Sequence, residues 1–422
     1  MLRLLYTLLT ILALPLIFAR LWWRGRRNRD YRQRWAERWG SYRPAPNAEP
    51  CVVFHAVSVG EVHAAMPLLE AWLQRHPEQS VVVTTTTPTG SARVRQLLDK
   101  RVKHVYLPYD LPWFVAGFIR QFNPKLLVLM ETELWPNLIH VCRQHQCPVL
   151  LVSARLSPKS FASYQLIGSL SRAMMQQLTQ VAAQATADGE RFVQLGLPPE
   201  RLVVTGSLKF DLAIQTEKLS AARQIKAGWR RPVWIAASTR AGEEALVLAA
   251  HKQMLARIPD LLLVLVPRHP ERFRLAQELA SARGLKNVKQ SSAATVTADT
   301  NVLVGDTLGD MHFYYGLADV AFVGGSLVPN GCQNIIEAAA FGLPVVTGRS
   351  LYNFQVASDE LRRAGAMLVV ANAAELGKVV VELLQNDERR LSMGQKARAV
   401  VAANLGATLR TLELIESYSF NH

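Results

Sequence analysis

The chain has 422 residues, 50% of them apolar, which is enough to bury two or three cores and too much for a disordered or low-complexity protein. Only its start carries a long apolar run, which excludes a polytopic membrane protein. The net charge of +15 is concentrated there too: residues 1–43 hold ten arginines against Asp30 and Glu37, a net of +8, and the other 379 residues share the remaining +7.

The first predicted element is the uncharged stretch Leu4 to Ala19. As a helix its sixteen residues reach about 24 Å, somewhat less than the hydrocarbon core. Arg3 and Arg20 flank it and can snorkel, while Leu21, Trp22 and Trp23 extend it. Four of the nine tryptophans (Trp22, Trp23, Trp35 and Trp39) lie in the first 40 residues, as in an interfacial belt. Most of the positive charge follows the run and no small-residue cleavage site precedes it, which disfavours a signal peptide. Length and flanks favour a spanning segment over one lying in a single leaflet. The charge asymmetry places the body in the cytoplasm, and the collar fits anionic lipid rather than nucleic acid. Cys51, Cys142, Cys147 and Cys332 form no CxxC or ligand pattern and read as reduced thiols.

From residue 50 apolar β-rich runs alternate with helical patterns. The first series is Cys51–Val57, Val81–Thr86, Val105–Pro108, Leu126–Met130, Val149–Val152, Val181–Gln184 and Leu202–Thr205. The second is Val233–Ala237, Leu261–Val266, Asn301–Val304, Val320–Val323, Pro344–Thr347 and Met367–Val370. Continuous apolar strands separated by helices predict parallel sheets covered on both faces, so the class is α/β with two doubly wound domains. The expected organisation is an anchor and collar over 1–43, a first domain over 44–211, a linker over 212–231, and a second domain over 232–422 that includes the C-terminal helix.

Ligands of such domains bind at the carboxyl ends of the strands, so the polar residues following each run matter most. Ser58-Val59-Gly60-Glu61 has capping-box spacing, yet Glu61 is also placed to act as a general base. Glu131 and Glu133 follow a buried run, where carboxylates face solvent, a cation or a substrate. Thr84 to Ser91 opens a helix and fits an ordinary cap or an anion site. Lys209 stands near the domain junction, as a solvated charge or as a partner for an anionic group. Arg268 and His269, held between Pro267 and Pro270, form a cationic lip suited to phosphate or a structural ion pair. Gly324-Gly325-Ser326 and the helix start at Asn334 to Glu337 offer close backbone approach, or simple capping. Gly305 to Met311 is a further glycine-lined turn. No Walker A or GxGxxG pattern occurs.

Ten strings in this order (HAVSVGE, TTTTPTGSARV, VYLPYDLP, METELWPN, SARLS, GSLKFD, PRHPERF, GDTLGDM, FVGGSLV and NIIEAAAFGLPVV) resemble the 3-deoxy-D-manno-octulosonic acid (Kdo) transferases of lipopolysaccharide assembly. The resemblance runs from the anchor to the last helix. It implies a GT-B architecture, two Rossmann-like domains facing a cleft behind an N-terminal membrane-anchor helix. It also implies an inverting, metal-independent transfer without a cofactor, at the cytoplasmic face of the bacterial inner membrane. CMP-Kdo is then the donor and the tetra-acylated lipid A precursor the acceptor. The family's base falls on Glu61, and its transition-state residues on Glu131 and Lys209. Its CMP contacts fall on Arg268 and His269, on Gly309, Asp310 and Met311, and on Asn334, Ile335, Ile336 and Glu337. The chain departs from many relatives at Gln333, at Arg240 and over Thr347–Ser350, all on the donor side. Two alternatives to this reading are a GT-B transferase using another nucleotide sugar on a lipid, and a non-catalytic basic protein of the membrane surface.

Overall fold

A computed structural model describes residues 2–42, 49–211, 215–292 and 294–419. The expected boundaries at 43/44 and 211/212 lie outside the described residues. The chain forms two compact units, one of residues 1–211 with 405–422 and one of residues 212–404.

In the first unit seven parallel strands, β1 (Cys51–His55), β2 (Val81–Thr85), β3 (Lys103–Tyr106), β4 (Pro124–Met130), β5 (Val149–Ala154), β6 (Gln180–Ala183) and β7 (Leu202–Val204), take the order β3-β2-β1-β4-β5-β6-β7. Successive residues of each strand feed opposite faces. Val53, Leu127 and Leu129 pack with Phe118 on one side. Val52, Phe54, Val128 and Met130 pack with Trp72 on the other. Both faces are covered by helices, so the strands read as unbroken apolar runs rather than as alternations.

The second unit repeats the plan with β8 (Val233–Thr239), β9 (Leu262–Pro267), β10 (Asn287–Lys289), β11 (Val302–Val304), β12 (Val320–Val323), β13 (Val345–Thr347) and β14 (Met367–Val369), in the order β10-β11-β9-β8-β12-β13-β14. The strand order reverses beside β1 in the first sheet and beside β8 in the second. Such switch points open a crevice at the carboxyl ends of the neighbouring strands. Each unit is thus a doubly wound, Rossmann-like sheet, as the strand runs predict. All four cysteines are buried and unbridged.

Three expectations are corrected. The 212–231 segment is no linker over most of its length, because Thr216–Trp229 is a helix whose Ala222 is buried in the second unit. The C-terminal helix Ala407–Ser419 belongs to the first unit, where Leu412 and Ile415 join the core around Trp72. Asp211 fixes that return, since its carboxylate accepts from Gly406 N (2.7 Å) and Thr408 N (2.5 Å). The anchor is not a separate module either, because the N-terminal helix Leu2–Arg27 is part of the first unit. Two collar arginines are structural: Arg34 bonds Glu37 and the His104 carbonyl, and Arg38 is buried over the Tyr106 ring.

Candidate active site

In the first unit β1 and β4 are adjacent at the switch point, and each ends in acidic sequence. Ser58 precedes the helix Val59–Arg75 but makes no side-chain cap. Instead Glu61 turns back, its Oε2 accepting from Val57 N at 2.7 Å. Neither arm of a capping box forms, because that amide lies one residue ahead of Ser58, and the remaining oxygen is held by no more than a 3.5 Å contact with Ser58 Oγ. Burial, with the Glu133 carboxylate next in weight, pushes the Glu61 carboxyl up to about 8 against the pull of the Val57 N–H. Glu133 is raised as well, chiefly by burial, although it accepts from Trp135 Nε1 at 3.0 Å.

Glu131 closes β4 with φ +55°, a left-handed backbone that costs a non-glycine residue of order 1 kcal/mol or more. Its side chain pairs with Lys209 Nζ at 3.2 Å. Lys209 follows the edge strand β7, but Leu208 and Phe210 on either side of it are buried, and Leu208 packs in the same core layer as Leu68 and Trp72. That burial returns the segment from the sheet edge to the switch point. Glu61, Glu131, Glu133 and Lys209 thus stand together: one neutral-leaning carboxyl, one carboxylate paired with a cation, and a third acid between hydrogen bond and burial. By contrast, Thr84–Ser91 is a plain helix start, where Thr87 accepts from Gly90 N at 3.2 Å.

In the second unit the loops after β8, β9 and β12 converge. Arg268 follows β9 and faces the half-buried Glu337, whose carboxyl is raised by burial while Asn334 and Arg268 hold it down. His269 Nε2 lies 2.6 Å from Arg240 Nη1, so the departure at Arg240 adds a second guanidinium beside the Pro-Arg-His-Pro lip. Asn334 caps the helix Ile335–Ala340, accepting from Ile336 N (3.1 Å) and donating to Glu337 Oε1 (3.0 Å). The helix has six residues and its cap is internal, which is the simple capping that the spacing allows. Gly309, Asp310 and Met311 follow β11 on the far side of β9. There Lys218 Nζ bonds Asp310 (2.7 Å) and the Gly309 carbonyl (3.1 Å), lowering the Asp310 carboxyl. No direct contact is made between this turn and Arg268 among the described residues.

The residue that sequence reasoning missed is Glu243. It is wholly buried, and its carboxylate accepts four backbone N–H groups, from Arg240 (2.9 Å), Gly325 (2.5 Å), Ser326 (3.0 Å) and Leu327 (2.9 Å). It thereby moulds the loop after β12 onto the end of β8. Gly324 and Gly325 are required there: a Cβ on the first would sit 2.7 Å from Thr239 Cα, and one on the second 2.4 Å from the Gly331 carbonyl. The available signal was the pair Glu243-Glu244 directly ahead of the apolar run Ala245 to Ala250. A cavity of about 700 Å³ lined by Arg223, Lys226, Arg230 and Arg390 opens at the amino ends of β8 and β12, away from these loops. Among the described residues no three His, Cys, Asp or Glu side chains are grouped to hold a metal ion.

The chain can be set against known proteins at this point. A family model described as 3-deoxy-D-manno-octulosonic-acid transferase (kdotransferase) matches residues 33–212. The 3-deoxy-D-manno-octulosonic acid transferase of Haemophilus influenzae is 40% identical over 99% of this chain and 98% of its own. That of Bordetella pertussis is 39% identical over 98% of both. Among solved structures, a Rickettsia africae glycosyltransferase superposes with a TM-score of 0.57 at 15% identity, over 89% of this chain and 100% of that one, a likeness of fold alone. On the full-length matches the chain belongs to the 3-deoxy-D-manno-octulosonic acid (Kdo) transferases, glycosyltransferases of lipopolysaccharide biosynthesis.

Proposed function

We propose that the chain moves Kdo from CMP-Kdo to a tetra-acylated lipid A precursor at the cytoplasmic face of the inner membrane, with inversion at the anomeric carbon. Glu61 is the base: it takes the proton of the acceptor hydroxyl as that oxygen bonds the anomeric carbon, while the bond to the CMP phosphate breaks on the opposite face. The observation that carries this reading is the Glu61 carboxyl, half-buried beside Glu133 with one oxygen committed to Val57 N and a carboxyl range raised to about 8. A base is most effective when its range lies near the working pH. Lys209, set by Glu131, offsets negative charge at the reacting centre or on the acidic sugar.

On the donor side Arg268 and His269 take the single phosphate through charge-assisted hydrogen bonds. A carboxylate repels phosphate, so Glu337 with Asn334 serves the hydroxyl-bearing ribose. Gly309, Asp310, Met311, Ile335 and Ile336 complete the cradle for CMP. One phosphate develops less charge than two, and these cations offset it without a metal in this reading. Anionic lipids hold the chain through the N-terminal helix and the exposed arginines that follow it.

The test is a donor screen in excess chelator, with NMR of the new glycosidic bond. CMP release only from CMP-Kdo, with an inverted anomeric centre, is expected. Turnover with another nucleotide sugar, retention of configuration, or activity restored only by Mg²⁺ or Mn²⁺ contradicts the reading.

A further inference from the structure

Over its first half the N-terminal helix carries its polar residues, Arg3, Tyr6, Thr7 and Thr10, at positions covered by its own unit. The covered positions recur at helical spacing along its whole length, among them Arg3, Thr7, Leu14, Phe18, Leu21 and Gly25, each buried or half-buried. Near its start Arg3 Nη1 donates to Asn137 Oδ1 (3.1 Å), and Asn137 Nδ2 donates to Thr7 Oγ1 (3.0 Å). Tyr6 stands close to Asp110, which accepts from Asn137 N (2.9 Å) and Leu138 N (2.7 Å). Asn137 and Asp110 are both buried, so the link is an internal polar network rather than a surface contact. Toward the other end Phe18 stacks on Trp39 at 4.3 Å and meets the edge of Tyr109.

From Arg3 to Phe18 the helix covers about 22 Å. A helix crossing a bilayer would carry Arg3, Tyr6 and Thr7 to the far interface, away from Asn137 and Asp110. It would leave a buried carboxylate and amide short of partners, a cost of about 1–3 kcal/mol for each group. From Leu4 to Leu16 the opposite face is apolar and open, with Leu4, Leu8, Leu12 and Leu16 between 53% and 74% exposed. Exposed apolar residues continue beside it: Trp113, whose neighbour Phe114 packs edge-on against Trp39, and Leu166 and Ile167, just ahead of a helix that touches the N-terminal one. Arg20, Arg24 and Arg26 are exposed at the carboxyl end, where anionic headgroups would lie.

We infer that the N-terminal helix lies in the plane of the membrane, bonded along one face to its own unit and sunk by the other into a single leaflet of anionic lipid, so that the chain is monotopic. This replaces the spanning segment expected from length and flanks, and it rests on the reading of membrane attachment above.

The test uses the full chain, whose four native cysteines are buried. One reporter cysteine is carried on a short Gly-Ser extension ahead of Met1, and another, Lys378→Cys, marks the body at a side chain 77% exposed. Sealed right-side-out and inverted membranes are labelled with an impermeant maleimide. The two reporters are expected to react from the same face, and Thr7→Cys with Asn137→Cys to cross-link in membranes with a short bismaleimide. Labelling of the extension only from the face opposite Lys378→Cys overturns the in-plane helix even if the cross-linking variant fails to fold. Recovery of the unmodified chain in the soluble fraction overturns membrane attachment itself, and the in-plane helix with it.

Discussion

Glu61 is stabilised and penalised by the same neighbourhood. The folded chain holds its carboxyl near 8 against an ordinary value of 4.5, so the native state binds a proton that the unfolded chain has lost. Its contribution to stability is complete below pH 4.5 and disappears as pH rises through 8. Replacement by Gln keeps an acceptor for Val57 N and removes both the charge and the basicity. Turnover of Glu61→Gln is expected to fall by roughly 10²–10⁴, with CMP-Kdo affinity little changed. Its melting temperature relative to the unmodified chain should rise between pH 5 and pH 9. Unmodified kcat/KM should climb about tenfold per pH unit and level off above about pH 8; near-normal turnover of the Gln variant returns Glu61 to a mere helix-start residue. Arg268→Ala should weaken CMP-Kdo binding by about 1.5–3 kcal/mol, the worth of a charged hydrogen bond, by calorimetry. Unchanged affinity in a folded variant assigns Arg268 to Glu337 alone. Glu61 and Arg268 were legible in the sequence because they follow buried strands. The strain at Glu131 was not, since no residue pattern announces a glutamate at φ +55°.

At the level of elements, all thirteen strand runs read from the sequence are present, to within two residues at their ends. Buried parallel strands leave a continuous apolar mark that survives loss of context. The strand that left no such mark is β10, Asn287–Lys289, an edge strand only half-buried along its length. The helices misassigned to a unit share one cause: amphipathic spacing says that a face is covered, not by what. The helix Ala407–Ser419 is held by Asp211 and by the pairing of Glu416 with Arg75 and His76, contacts far apart in the sequence. Glu243 is the sharpest omission, because its function lies in four backbone partners that are invisible in a string of letters. Glu243→Gln retains one acceptor oxygen of two and orphans buried N–H groups, for a loss of about 1–3 kcal/mol in chemical denaturation. CMP-Kdo affinity should fall with it, as the loop after β12 loosens. A variant as stable as the unmodified chain would show that the loop is shaped by Gly324 and Gly325 alone.

For the molecule as a whole, the charge of +15 suits acidic substrates, but its distribution says more. Arg34 and Arg38 stabilise the first unit, which leaves the exposed arginines between Arg20 and Arg32 for the proposed contact with lipid. The two units carry different chemistry: carboxylates and one lysine on the first, guanidiniums beside a half-buried glutamate on the second. That division is what a transferase needs when one substrate must lose a proton and the other a phosphate-bound leaving group. The central claim, transfer of Kdo to a lipid A precursor, is tested most directly by mass spectrometry of the lipid product after incubation of the purified chain with CMP-Kdo and tetra-acylated precursor. The account predicts precursor enlarged by whole Kdo residues, with CMP released in equal number. Precursor of unchanged mass, while CMP-Kdo is consumed by hydrolysis alone or not at all, would contradict it.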